Sequence, residues 1–230
     1  MRIAIIAFAI AAALAGCATA PASKDAVVAP APDYYGTLEP FASDAVYFVL
    51  TDRFVNGDPS NDQREQGKAK GAAYYTFDRP VPGAPAGKHD NVGYLGGDFK
   101  GIADNAQYIR DMGFGAVWIT PIVDQPDEAF TGGEPVKWEG FWTDGGKTGY
   151  HGYWGVNFYQ LDEHLPSPGL DFRGLTETLR AHGLKTVLDI VANHGSPAYT
   201  MPVDQPKFGE LYDANGTLIA DHMNLPPEKL

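Results

Sequence analysis

The 230 residues carry a formal net charge of −12, with 17 Lys and Arg against 29 Asp and Glu, and a single cysteine. So acidic a surface repels nucleic acid and anionic lipid, and one cysteine allows no disulfide within the chain. Hydrophobic residues at 44%, charged residues at 20%, and 12 Phe, 12 Tyr and 4 Trp describe a globular protein that buries a core, not a disordered one.

The first residues read as a leader. Arg2, the apolar run Ile3 to Ala13 and Leu14-Ala15-Gly16-Cys17 form a secretory signal over residues 1–16, because the run is too short to cross a bilayer and small residues flank the cleavage point. The last four resemble a bacterial lipobox, which implies that Cys17 is the first mature residue and carries lipid; an ordinary signal with an incidental cysteine is the alternative. Acyl chains contribute about 0.8 kcal/mol per buried CH₂, so more than one would hold the protein durably on a membrane. Residues 17–43, rich in Ala and Pro, then read as a tether. Ala18 resembles the outer-membrane sorting pattern, and the expectation is an exported protein anchored to a bacterial outer membrane, with no protein partner inferred.

Three strand-and-helix units follow. Ala45 to Thr51, AVYFVLT, is a strand running into Asp52-Arg53-Phe54 and a long loop. Gly101 to Met112 places Ile102, Ala106, Ile109 and Met112 on one helical face, with Gly113 as a natural C-cap. The second strand is Ala116 to Thr120, AVWIT, stopped by Pro121. Residues Ile122 to Gly169 read as an irregular loop, longer than connections in compact domains usually are, which suggests a binding surface. Asp171 opens a helix whose buried face carries Phe172, Leu175 and Leu179 and which Gly183 ends. The third strand lies in KTVLDIVANH, Lys185 to His194, where Val187, Leu188, Ile190 and Val191 suit a strand covered on both faces and Asp189, Asn193 and His194 are delivered at its C-terminal end. Alternating strands and helices imply an α/β fold with parallel pairing through right-handed crossovers.

Four motifs occur in order: TDRF at Thr51 to Phe54, GGD at Gly96 to Asp98, GYHGYW at Gly149 to Trp154 and DIVANH at Asp189 to His194. Together they resemble the N-terminal part of the α-amylase family of glycoside hydrolases, family thirteen. The similarity runs from about Asp44 to the end of the sequence. It includes DQPKFGELYDANGTL at Asp204 to Leu218, which is similar to cyclodextrin glucanotransferases and related secreted amylases. The resemblance implies that residues 44–194 are the first three strand-helix units of a TIM (β/α)₈ barrel and that residues 195–230 begin the domain protruding after strand three.

It also implies roles. Tyr153 would stack on the sugar at the cleaved bond, with His151 and Trp154 beside it and His194 on one of that sugar's hydroxyls. The aromatic faces suit the apolar C–H patches of sugar rings, although composition alone allows Tyr153 and Trp154 to be loop anchors. Asp189 would be a supporting residue paired with an arginine from a later strand, not the nucleophile. Asn56, Asp58, Asn61 and Asp62, with Asp98 and the Gly96 carbonyl, form a cluster of hard oxygens adequate for calcium. An Asx-rich turn explains the same spacing, and the resemblance favours the metal. Asn193 would serve a second calcium site.

The family's retaining mechanism needs a nucleophile in a G-x-R-x-D segment on the fourth strand and an acid/base Glu after the fifth, and neither occurs in residues 195–230. The expectation is a truncated piece of a calcium-dependent α-1,4-glucan hydrolase, inactive alone, with no catalytic carboxylate of its own. A cyclodextrin-forming transglycosylase or cyclomaltodextrinase is the alternative within the class, and a non-catalytic glycan-binding lipoprotein the alternative outside it. Two departures from the family pattern are Asn157, where Asp is usual, and Leu165-Pro166-Ser167-Pro168-Gly169, which replaces a glycine turn.

Overall fold

Runs of β-branched and aromatic residues become strands here, and each is short because a polar residue turns the chain at its end. The computed structural model describes residues 39–62, 93–130, 147–196 and 207–221. The leader, Cys17 and most of the tether lie outside the described residues. The chain divides into two units between Ala42 and Ser43, and all that follows concerns the second, Ser43–Leu230. In chain order its elements are β1 (Val46–Val49), α1 (Phe99–Asp104), α2 (Ala106–Asp111), β2 (Ala116–Ile119), β3 (Val123–Asp124), β4 (Asn157–Leu161), α3 (Phe172–Ala181), β5 (Lys185–Leu188), β6 (Glu210–Tyr212) and β7 (Leu218–Asp221).

The three strands expected from the sequence form one parallel sheet in the order β1-β2-β5. Their register aligns Val46, Ala116 and Lys185 at one end and Val49, Ile119 and Leu188 at the other. Val49, Val117 and Ile119 point to the helices and pack with Phe99, Ile102, Ala106 and Ile109 of α1 and α2, Leu175 and Leu179 of α3, and Leu184. These are three consecutive parallel strand units, as the alternation of elements implies, and they match the first three units of the barrel that the family resemblance implies.

Two expectations need correction. The helix over Gly101–Met112 is interrupted at Asn105 (φ −107°, ψ 12°), whose side-chain amide donates to the Gly101 carbonyl at 2.8 Å and so competes with the helical ladder. The turn it introduces rotates Met112 out of the core, where it is 42% exposed. The third strand is likewise not covered on both faces. Helices pack on one face only among the described residues, so Phe48 and Trp118 of the other face are 50% and 41% exposed, meeting edge to face at 5.3 Å. β5 is an edge strand that ends at Leu188, and Ile190 beyond it is 73% exposed.

The segment Ile122–Gly169, read as irregular, contributes β3 and β4 to a second sheet, ordered β3-β4-β6-β7. β4 runs antiparallel to β3 and parallel to β6, and β6 and β7 form a hairpin closed by Asp213, whose carboxylate accepts the Asn215 and Thr217 amides at 2.8 Å. Asn157 fixes β4 to that hairpin. Buried at 2% exposure, it donates through Nδ2 to the Asp213 carbonyl at 3.1 Å and accepts the Tyr159 amide at 3.0 Å. A carboxylate could accept but not donate, which accounts for an amide at the position where the family pattern has Asp. Among the described residues no helix is long and apolar enough to cross a membrane.

Asn157→Asp is expected to lower stability by about 1–3 kcal/mol, since it removes the donor and buries a charge. Urea unfolding of both proteins checks this, and equal midpoints would contradict the assigned role.

Candidate functional site

The polar ends of the parallel strands are tied together before any ligand is considered. After β1, the Thr51 amide donates to Thr120 Oγ1 at 3.3 Å, joining the C-terminal ends of β1 and β2. Asp52 follows, buried, and its carboxylate accepts the amides of Leu95 (2.9 Å) and Gly96 (3.0 Å) while its carbonyl accepts Gly97 N at 2.9 Å. Burial pushes the Asp52 pKa up, against the pull of the neighbouring Arg53 guanidinium and these two amides. The chains approach so closely that a Cβ on Gly97 would lie 2.0 Å from the Thr51 carbonyl, so only glycine fits. Arg53 pairs with Asp52 and lies 3.5 Å over the Tyr150 ring.

Against this frame the structure assembles the residues assigned to sugar contact. His151 stacks on Tyr153 with centroids 5.7 Å apart and meets Trp154 edge to face at 4.9 Å. The Tyr153 hydroxyl donates to Asp189 Oδ2 at 2.7 Å, and Trp118 Nε1 donates to the same oxygen at 3.2 Å. His194 Nε2 lies 3.1 Å from the Tyr153 carbonyl. Burial and the nearby Asp189 carboxylate push the Tyr153 pKa to about 12, so its hydroxyl stays protonated. His151 Nδ1 accepts the Tyr153 amide at 3.0 Å, which leaves the proton of the neutral ring on Nε2. Burial, with the adjacent Arg53 and His194, lowers its pKa to about 4. A neutral imidazole, a protonated phenol and one carboxylate around two broad aromatic faces can stack a pyranose ring and hydrogen-bond its hydroxyls.

The residues assigned to a cation fall on two facing loops. Asp98 is fully buried and caps α1, accepting Gly101 N at 2.6 Å, and it also accepts the amides of Gly57 (3.1 Å) and Asp58 (2.7 Å) from the loop after β1. A Cβ on Gly101 would lie 1.8 Å from the Val55 carbonyl, so glycine is again required. Asn56 Nδ2 donates to Asp62 at 2.8 Å, leaving Asn56 Oδ1 buried with no partner among the described residues. Hydrogen bonds from the Ser60 hydroxyl and amide hold the Asp58 carboxyl below the usual carboxylate range. Asn61 donates to the Pro166 carbonyl at 3.0 Å, and Gly96 sits at a φ of 88° two residues before Asp98. Carboxylate and amide oxygens, one of them buried and unmet, are the donor types a hard divalent cation takes, so the residues fit calcium by their chemistry. Asn193 lies on the exposed turn past β5, its Oδ1 3.2 Å from His194 Nδ1.

Sequence reading missed several supports. Gln125 accepts the Trp154 amide at 2.7 Å and donates to the Val123 carbonyl at 2.8 Å, so it clamps the aromatic segment to β3. Trp118 was read only as a strand residue. Asp124, Asp127 and Glu163 bring carboxylate oxygens within 4.8 Å of one another, and Lys207 Nζ, 3.0 Å from both Asp127 oxygens, supplies the opposing charge. Burial raises the Asp124 pKa to about 7 despite Lys207. No local pattern announces these groups, because their partners are brought together from distant segments.

The profile of the α-amylase catalytic domain matches residues 48–206. Cyclomaltodextrin glucanotransferases from Klebsiella oxytoca and Paenibacillus macerans are 31% and 35% identical over 79% and 80% of this chain, covering 23% and 22% of their own lengths. The chain therefore spans about a quarter of the curated relatives it matches. The crystal structure of CldA, a cyclomaltodextrin glucanotransferase with a three-domain ABC distribution, aligns with a TM-score of 0.56 and 33% identity over 79% of this chain and 32% of that one.

The state of His151 has a pH signature. Its folded pKa of about 4 lies below the ordinary 6.5, so the unfolded chain binds more protons in between and stability falls as pH drops from 6.5 toward 4. Unfolding midpoints measured in pH steps should show this slope, and His151→Gln should flatten it. An unchanged slope in the variant would exclude a buried, neutral His151.

Proposed function

The chain belongs to the α-amylase catalytic-domain family, and we propose that it forms the first part of a calcium-dependent, retaining hydrolase of α-1,4-linked glucose polymers. The observation that carries the reading is the convergence of His151, Tyr153, Trp154, Asp189 and His194 at the C-terminal ends of the parallel strands. Tyr153 offers its ring to the sugar at the cleaved bond, and its hydrogen bond to Asp189 fixes the ring's orientation. His151, neutral with a proton on Nε2, donates to a sugar hydroxyl without adding charge. Asp189 is a positioning residue: Oδ2 is taken by Tyr153 and Trp118, and Oδ1 remains for an arginine from a later strand.

Retaining glycosidases place a nucleophilic carboxylate and an acid/base about 5–5.5 Å apart. In this family both come from later strands, and the 230 residues hold no G-x-R-x-D segment, so this part alone binds glucan without cleaving it. Calcium, bound by Asn56, Asp58, Asn61, Asp62, the Gly96 carbonyl and Asp98, neutralises the carboxylates and holds the loop after β1 to the start of α1. Asn193 serves a second calcium. Lipid on Cys17 anchors the protein to the outer membrane.

A second reading is favoured by the relatives: cyclomaltodextrin glucanotransferases are among the similar proteins, so transglycosylation competes with hydrolysis. Products from soluble starch decide between them, since linear maltooligosaccharides support the hydrolase and cyclic ones the transferase. In the full-length protein, Tyr153→Ala is expected to reduce kcat/KM roughly 10²-fold, the loss typical of a misplaced substrate. Activity near wild type would remove Tyr153 from the site. Chelation should lower the melting temperature, as loss of a ligand bound to the native state requires, and no change would refute the calcium assignment. Cys17→Ser should release the protein from the membrane fraction, and retention there would refute the anchor.

A further inference from the structure

Leu165-Pro166-Ser167 lies within the stretch that departs from the family's glycine turn, and all three residues reach the cation loops. The Leu165 carbonyl accepts Phe99 N, the residue after Asp98, at 3.0 Å. The Pro166 carbonyl accepts Asn61 Nδ2 at 3.0 Å. Ser167 Oγ lies near the Asp58 carboxyl, but no described group meets it at full hydrogen-bonding geometry. Among the described residues only two buried side-chain polar atoms lack a partner, Ser167 Oγ and Asn56 Oδ1. Both belong to segments that build this one site, and a buried hydroxyl left unmet in a native structure calls for an explanation.

The cation itself supplies one. Calcium takes about six to eight oxygens, but both Asp98 oxygens already accept backbone amides, those of Gly57, Asp58 and Gly101. Asp98 therefore shares its oxygens between these amides and the ion, which leaves a place in the shell for a further oxygen. Pro166 and Pro168 fix the backbone on either side of Ser167, so the hydroxyl is presented from a stiff segment and loses little freedom on binding.

We propose that Ser167 Oγ is an additional oxygen ligand of the cation held by the Asn56–Asp62 loop, which makes the segment preceding α3 a wall of that site. The inference rests on the calcium reading given above. Terbium, a luminescent stand-in for calcium, is titrated into the full chain, and inner-shell water is counted from lifetimes in H₂O and D₂O. The signal lost in Asp58→Ala identifies this site. Ser167→Ala should admit about one more water to the shell and weaken terbium and calcium about tenfold, and Ser167→Thr, which keeps the hydroxyl, should restore the wild-type count. If the wild type binds and Ser167→Ala leaves water count and affinity unchanged, the proposal fails while the calcium reading stands. A wild-type chain that binds no terbium overturns both.

Discussion

A buried carboxylate gripped by three backbone amides ties together the loops that carry the candidate site. Asp98 is fully buried and reaches Gly57, Asp58 and Gly101 at once. Hydrogen bonds to a charged group are each worth about 1.5–3 kcal/mol, and these three join the loop after β1 to the first turn of α1. Asp52 does the same one strand-end away, gripping the amides of Leu95 and Gly96. The two acids together bring the segments so close that Gly57, Gly97 and Gly101 have no room for a side chain. The loop after β1, the ends of β1 and β2, and the start of the first helix are therefore one mechanical unit.

The aromatic segment around His151 and Tyr153 depends on that unit through one guanidinium and one amide. Arg53, held by Asp52, lies over Tyr150 and thereby places the chain entering His151-Gly152-Tyr153. Gln125 fixes the following Trp154 through its amide. The result is a wall in which most polar groups are uncharged and the one carboxylate, Asp189, is occupied by a phenol and an indole. Such a wall suits a neutral, hydroxyl-rich ligand.

Much of this was legible in the sequence, and the reasons are physical. The three parallel strands and α3 announce themselves by local periodicity, by Asp171 at the helix start and by Gly183 at its end. The gathering of His151, Tyr153, His194 and Asp189 was legible only through the order of four motifs, because no local rule places residues 36 or 41 positions apart side by side. What escaped was settled by single side chains acting at a distance: Asn105 breaking a helix that its neighbours favour, and Asn157 locking β4 onto a hairpin 56 residues later. The second sheet was hidden for the same reason. Its strands are two to five residues long and too polar to show a period.

The pairing of Thr51 with Thr120 spans 69 residues, and the Trp118 bond to Asp189 spans 71. A nascent chain must therefore emit almost the whole of the next unit before each strand finds its neighbour, whereas α1 and α2 can condense from contacts within a few residues. Loop closure over such spans is slow. Each strand edge stays unpaired until its span has closed, β1 until β2 reaches it and the far edge of β2 until β5 does, so the time taken to close residues 52–115 and 120–184 sets how long each apolar edge stays open to other chains.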